Sequence, residues 1–223
     1  MTSPAPVHHV PDEDLIEYAA GACGEAAALA IACHVALCAG CADRLLALEA
    51  MGGAALDAAA PQDVAPGALE TLLANLDAPP PQPTSPDPEA VRLLTPHGIP
   101  RLVLPYLAPG AAAAGWRRLV PGISRLELSV GPRATVARLV RLQPGLEIPL
   151  HDHGGTEYTV IFTGALADDQ GRFARGDISI RDSGERHVQH VETVEPCIAL
   201  VINEGPLVPL TLKGKLLTIL SGG

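Results

Sequence analysis

The chain has 223 residues and a formal net charge of −10, and 48% of its residues are hydrophobic although only 3% are aromatic. This length suits one large domain or two small ones. Its five cysteines, an odd number, do not indicate a disulfide framework, and no secretory signal pattern opens the chain. We therefore expect reduced thiols and a cytoplasmic location.

The acidic charge lies in the first third of the chain. Residues 1–77 contain eleven acidic residues and a single basic one, Arg44, whereas the remainder contains fourteen of each. An acidic surface repels nucleic acid and attracts a basic partner, so we expect no direct binding to nucleic acid. The alternative interpretation is a surface that only favours solubility.

The first 77 residues are predicted to be all-helical. Apolar residues recur at helical spacing over 15–19 and 29–48, and "PGALETLLANL" indicates a further helix behind a proline. Asp12 or Asp14 could cap the first helix. A run at 26–42 lacks Asp, Glu, Lys and Arg, but it is shorter than the roughly 20 residues of a membrane span, so we expect no membrane insertion.

A proline-rich segment predicts a domain boundary. "APPPQPTSPDP", from Ala78 to Pro88, contains six prolines, which disfavour helix and strand. We place a helical domain at 1–77, the linker at 78–90 and a second domain at 91–223. In the second domain, apolar stretches alternate with Gly and Pro turns, which predicts a β-sandwich or barrel. These stretches are "SRLELSV", "ATVARLVRL", "YTVIFTG", "GDISI", "PCIALVINE" and "KLLTIL". The predicted class is α+β in two domains.

The segment "HVALCAGC" contains a candidate metal site. His34, Cys38 and Cys41 stand at i, i+4 and i+7, so they share one face of a continuous helix. Two thiolates and an imidazole suit Zn²⁺, which takes four ligands, and His8 or His9 could supply the fourth. Such a closed site is structural rather than catalytic. The alternative is that the cysteines are ordinary core residues, which leaves His34 as an isolated buried polar group.

A second candidate metal site lies in the predicted β domain. His151 and His153 share one face of a strand, and Glu157 follows a Gly-Gly turn. His187 and His190 come later, on opposite faces of a strand, and we choose His187 with His190 in reserve. Three imidazoles and a carboxylate that converge inside a barrel can hold a divalent metal.

These residues resemble the cupin signature. Every position of the first cupin motif is filled, by Gly145, His151, His153, Glu157 and Gly164. The second motif is matched at Gly176, Gly184 and His187, but Asp182 stands at the usual proline and Val191 at the usual asparagine. The resemblance implies an all-β cupin barrel with a metal at the histidines and the glutamate. Some cupin-like barrels have lost the metal, which is the alternative.

A helical domain with this His/Cys pattern, followed by a cupin, resembles the ChrR-type zinc-binding anti-sigma factors. The resemblance implies Zn²⁺ in the N-terminal domain and a divalent metal in the cupin domain, Zn²⁺ first, with Fe or Mn as alternatives. The implied zinc ligands are His9, His34, Cys38 and Cys41, and the implied cupin ligands are His151, His153, Glu157 and His187.

The same resemblance implies a regulator and not an enzyme. Such proteins bind an extracytoplasmic-function sigma factor in the cytoplasm and release it on an oxidative signal, singlet oxygen or organic peroxide. The competing interpretations are a cupin metalloenzyme, such as a dioxygenase with an N-terminal interaction domain, and a sensor that binds a small ligand. Cys197 is either a redox thiol or an ordinary core residue, and we favour the core.

Overall fold

A computed structural model describes residues 4–76, 86–131 and 135–211. Within them the helices are α1 (Asp12–Ala19), α2 (Glu25–Val35), α3 (Ala39–Asp57), α4 (Ala68–Leu76), α5 (Pro88–Leu94) and α6 (Ala111–Ala114), with short 3₁₀ turns at Thr95–His97 and Arg101–Tyr106. The strands are β1 (Arg117–Val120), β2 (Ile123–Leu128), β3 (Val136–Leu142), β4 (Glu147–His153), β5 (Glu157–Thr163), β6 (Ala165–Asp168), β7 (Gly171–Ala174), β8 (Ile178–Arg181), β9 (His187–Val191), β10 (Cys197–Asn203) and β11 (Leu207–Pro209).

The order of elements confirms helices first and strands afterwards. Most of the predicted linker and the predicted strand "KLLTIL", at 215–220, lie outside the described residues. The part after residue 91 is not purely β, because helical structure continues to Ala114 before β1 begins. The end of the predicted linker already belongs to α5, whose first residue is Pro88 and whose cap is Asp87. Proline is tolerated there because the first turn of a helix needs no N–H donor.

The cap predicted for α1 is wrong. Pro11 is the N-cap residue, and no side chain accepts a hydrogen bond from the first turn. Asp12 and Asp14 lie inside that turn instead. Their negative charges still favour the positive end of the helix dipole.

Helix α2 is enclosed on several sides, which explains why it has no Asp, Glu, Lys or Arg after its first residue, Glu25. It lies against α1 and α3 and against strands β5 and β10. Its buried residues include Leu29, Ile31, Cys33 and His34. A helix that is apolar around most of its circumference belongs in a core. None of the described helices is both long and apolar enough to cross a membrane.

The single helix predicted to carry His34, Cys38 and Cys41 is interrupted. Helix α2 ends at Val35, and Cys38 is extended, with φ −115° and ψ 102°, just before α3. The Cys38 N–H still donates to the His34 carbonyl at 2.8 Å, which closes the last turn of α2. Apolar spacing continues through this junction, so periodicity alone could not reveal the break.

The eleven strands form two sheets and not the closed barrel that was predicted. One sheet has the order β1-β2-β3-β10-β5-β8 and the other β11-β4-β9-β6-β7, and no ladder among the described residues joins them. Apolar residues of both sheets, including Leu142, Ile161, Phe173 and Val191, pack together between them. Alternation in a sequence predicts strands and their faces but not which edges pair, so it could not separate a sandwich from a barrel.

The glycines of both cupin motifs lie where the chain passes from one sheet to the other. Gly145, Gly164, Gly176 and Gly184 all have positive φ angles, a conformation that favours glycine. At Gly164 a side chain is also excluded, because a Cβ atom would lie 2.8 Å from the Cα of Cys197. The motif spacing therefore reflects strand length and corner geometry as well as metal ligands.

The N-terminal helices pack on the outer face of the six-stranded sheet. Leu15 of α1 and Ile31 of α2 belong to the same buried cluster as Phe162, Leu200 and Ile202 of the sheet. The helical part and the β part therefore share a hydrophobic core.

Candidate metal centres

The structure brings the four predicted N-terminal ligands together. Ligand atoms of His9, His34, Cys38 and Cys41 all lie within 4.8 Å of one another. His9 precedes α1, His34 lies in the last turn of α2, and the two cysteines stand at the start of α3. The Nδ1 atom of His9 is 3.3 Å from the sulfur of Cys38 and 3.6 Å from that of Cys41. Zn–N and Zn–S bonds in a tetrahedron give N···S edges of about 3.5 Å, so the group fits Zn²⁺.

His34 shows most clearly that this group suits a metal ion. Its side chain is fully buried, and its Nδ1 lies 2.7 Å from the carbonyl oxygen of Gly176. Nδ1 therefore carries the proton, which leaves Nε2 as an acceptor with no hydrogen-bond partner among the described residues. Burial lowers the pKa of His34 to about 4, although the contact with Gly176 opposes the shift. A neutral imidazole with a free, buried nitrogen suits a metal ion.

The rings of His8 and His9 have different surroundings. The ring of His8 stacks on Phe173 at a centroid distance of 4.1 Å, and its Nε2 lies 3.2 Å from the carbonyl oxygen of Arg172. It does not belong to the His/Cys group. His9 does, as the family resemblance implied.

The four predicted cupin ligands also converge. His151 and His153 lie on β4, Glu157 begins β5 and His187 begins β9, and all four side chains are buried. The Nε2 atom of His187 is 3.0 Å from Nε2 of His151 and 3.2 Å from Nε2 of His153. Tetrahedral zinc with nitrogen ligands gives N···N edges of about 3.3 Å. This group therefore also fits a metal ion.

Burial favours the neutral, metal-binding form of these histidines. It lowers the pKa of His151 and of His153, and the nearby carboxylate of Glu157 opposes both shifts. His190, the reserve candidate, is exposed, and its Nδ1 lies 3.8 Å from a carboxylate oxygen of Glu147. It takes no part in the cluster.

Three residues around the cupin cluster were missed in the sequence. Asp168 lies 3.1 Å from Nδ1 of His187 and accepts a hydrogen bond from Arg181 at 2.7 Å. Burial would raise the pKa of Asp168, but these two partners outweigh it and hold the pKa at about 2. Asn203 donates to Glu157 at 2.7 Å. Carboxylates that hold a histidine ligand fix its tautomer and orientation. No local motif marks these residues, because each reaches its partner across strands.

Cys197 lies in the core between the sheets. Its side chain is fully buried on β10, and burial raises the pKa of its thiol to about 12. The structure therefore gives this cysteine the environment of an ordinary core residue.

Comparison with known proteins identifies the family. The ChrR cupin-like domain family matches residues 109–208. The chain is 36% identical over 200 residues to the anti-sigma-E factor ChrR of Cereibacter sphaeroides, which covers 90% of this chain and 91% of that protein. The chain belongs to the ChrR family of anti-sigma factors. The ChrR relative is a regulator and not an enzyme, as the sequence resemblance implied.

One solved structure agrees with the assignment to the ChrR family. The crystal structure of Rhodobacter sphaeroides SigE in complex with the anti-sigma ChrR matches with a TM-score of 0.68 and 32% identity, over 88% of this chain and 98% of the matched chain. An RmlC-like cupin protein from Ralstonia eutropha JMP134 matches 44% of this chain and 68% of its own, with 22% identity and a TM-score of 0.40.

Proposed function

We propose that this ChrR family member sequesters an extracytoplasmic-function sigma factor in the cytoplasm and releases it on an oxidative signal, singlet oxygen or organic peroxide. The observation that carries the proposal is the alignment with an anti-sigma factor across both parts of the chain, together with two convergent ligand groups. A cupin enzyme would account for the second group but not for the first.

An exposed helical extension, residues 46–76, supports a protein partner. Eight large apolar side chains there are more than half exposed, namely Leu46, Met51, Leu56, Val64, Leu69, Leu72, Leu73 and Leu76. Soluble proteins seldom expose so many apolar side chains along one segment unless it forms an interface. The extension also contains four acidic residues and no basic one. A sigma factor presents basic surfaces, so its charge complements this acidic segment.

The N-terminal metal is proposed to be Zn²⁺ with a structural role. Its four ligands come from three separate segments, so the ion would tie the segment before α1 to α2 and α3. The free energy of binding such an ion contributes directly to folding. Loss of the ion should therefore loosen the helices that carry the exposed extension.

To test this role, Cys38 is replaced, and the variant is compared with a replacement of a cysteine outside the ligand group. Cys38→Ser should abolish both N-terminal zinc and sigma binding, with a loss of helicity in far-UV circular dichroism. Cys23→Ser is the control, because Cys23 lies in the same helical part but outside the ligand group. Full sigma binding by a zinc-free Cys38→Ser protein would rule out the structural role.

The cupin metal is proposed to serve the sensor. With Zn²⁺ the four protein ligands leave no open position, whereas Fe or Mn in an octahedral site would leave two. His151→Ala or Glu157→Ala should leave sigma binding intact but prevent release by oxidant, while His190→Ala should behave like the wild type. Normal release by the first two variants would contradict the proposed role of the cupin metal in sensing.

A further inference from the structure

The N-terminal metal group is held by a turn that belongs to the cupin-like part. This turn joins β7 to β8 and comprises residues 174–177, named here the β7–β8 turn. The carbonyl of Gly176 accepts the Nδ1 proton of His34, at 2.7 Å. Because a histidine binds a metal through one nitrogen, the partner of the other nitrogen sets the ring orientation. The orientation of one N-terminal ligand therefore depends on the C-terminal part.

The same turn anchors the segment that carries a second ligand, His9. Asp177 is almost fully buried, and its Oδ1 accepts hydrogen bonds from the N–H groups of Val7, at 2.7 Å, and His8, at 2.9 Å. Its Oδ2 accepts from the N–H of Ala174 at 2.7 Å, which fixes the carboxylate within the turn. A buried carboxylate with three amide donors is strongly held. His9 follows directly after this anchored segment.

Close packing reinforces the anchor. Pro6 lies so close to Gly176 that a Cβ atom on the glycine would be 2.7 Å from Cγ of Pro6. The ring of His8 stacks on Phe173 of β7. Thus His9 and His34 are both positioned by the β7–β8 turn, whereas Cys38 and Cys41 have no hydrogen bond to it among the described residues.

The strand that leaves this turn ends at the cupin cluster. Arg181, at the end of β8, is the cross-strand partner of Glu157. It also binds Asp168, which holds His187, and the Oδ1 of Asp169 at 2.8 Å. Asp177 and Arg181 are four positions apart, which is about 13 Å along a strand. One short strand therefore connects groups that hold ligands at both centres.

We propose that the β7–β8 turn and β8 couple the two centres, so that a change at His187 alters how tightly the N-terminal metal is held. This inference deepens the proposed function and rests on its two metal sites. Asp177 acts as a positioning residue for His9, and the Gly176 carbonyl positions His34. At the other end of β8, Asp168 and Arg181 transmit the position of His187.

The test measures retention of Co²⁺ by the full-length protein without any sigma factor. The thiolate-to-cobalt charge-transfer band reports only the N-terminal centre, because the cupin group contains no cysteine. After excess EDTA is added, decay of this band gives the rate of metal loss. Asp177→Asn should accelerate the loss about tenfold or more, as is typical when a group that holds a ligand is altered. Asp87→Asn, which alters an exposed helix cap away from both centres, should change it less than twofold.

A second pair of variants tests the transmission along β8. Asp168→Asn, in the cupin cluster, should also accelerate decay of the N-terminal band, whereas Glu195→Gln, at an exposed position of the β part, should not. This pair tests the coupling even if the replacement of Asp177 impairs folding. An unchanged band and decay rate in Asp168→Asn would overturn the proposal. Because this experiment contains no sigma factor, its outcome does not depend on whether the protein binds one. A failure to bind sigma factor would contradict the proposed function but not the coupling between the two centres.

Discussion

The candidate ligands could be picked out in the sequence because their spacing is local. His151, His153 and Glu157 stand within seven residues, and His34 lies seven residues before Cys41. The groups that orient them could not be predicted, because they come from distant strands. Asp168 lies nineteen positions before His187 in the sequence, and Gly176 lies 142 positions after His34. Contacts of this kind follow from sheet topology, which no local pattern records.

Asn203 provides a test of one such distant contact. It donates to the buried carboxylate of Glu157. Replacing it by leucine removes this donor, which for a buried charged acceptor costs on the order of 1–3 kcal/mol. We expect Asn203→Leu to lower the affinity of the cupin site for Zn²⁺ about tenfold or more, measured by competition with a chromophoric chelator. Thr163→Val, outside the cluster on the same sheet, is the control. Equal affinity in Asn203→Leu and wild type would contradict the assigned contact.

Cys197 gives a pH prediction. Burial raises its pKa from 9.0 to about 12, so the unfolded thiol ionises first as the pH rises. The contribution of the buried, protonated thiol to the free energy of unfolding is therefore complete below pH 9 and is lost between pH 9 and about 12. At pH 10 the loss from this group is about 1.4 kcal/mol. The free energy of unfolding, measured in urea, should fall more between pH 8 and pH 10 for the wild type than for Cys197→Ala. Equal declines would mean that the thiol is accessible in the folded protein.

At the scale of elements, the interruption between α2 and α3 brings residues with a helical spacing into a candidate metal site. In a continuous helix Cys38 would follow the path of α2, but its extended backbone instead places its sulfur 3.3 Å from His9. The helices themselves could be predicted from composition and apolar spacing. The interruption could not, because Ala36, Leu37 and Ala39 suit a helix as well as a junction.

Helix α4 gives a prediction about the exposed helical extension. Leu72 is 61% exposed, so Leu72→Glu should leave the unfolding temperature of the free protein nearly unchanged. If the extension contacts the sigma factor, the added charge should weaken binding at least tenfold, because apolar anchors dominate interfaces. Val194→Glu, at a fully exposed position of the β part, is the matched control. Equal binding by both variants, measured by calorimetry, would exclude α4 from the interface.

At the scale of the whole molecule, the two predicted domains share a core. Helix α2 packs between α3 and the six-stranded sheet. The β7–β8 turn accepts a hydrogen bond from the segment before α1. A proline-rich linker in the sequence favours separate domains, so this packing could not be predicted from it. The arrangement gives a physical route by which an event in the β part reaches the helices.

We propose that a bound metal holds the helical part in the form that binds a sigma factor. The most direct measurement is the affinity of the full-length protein for the extracytoplasmic-function sigma factor of its own organism, before chelation, after complete removal of metal and after Zn²⁺ is restored. We predict that binding is lost with the metal and returns with one Zn²⁺ per N-terminal centre. Undiminished binding by the metal-free protein would contradict the account.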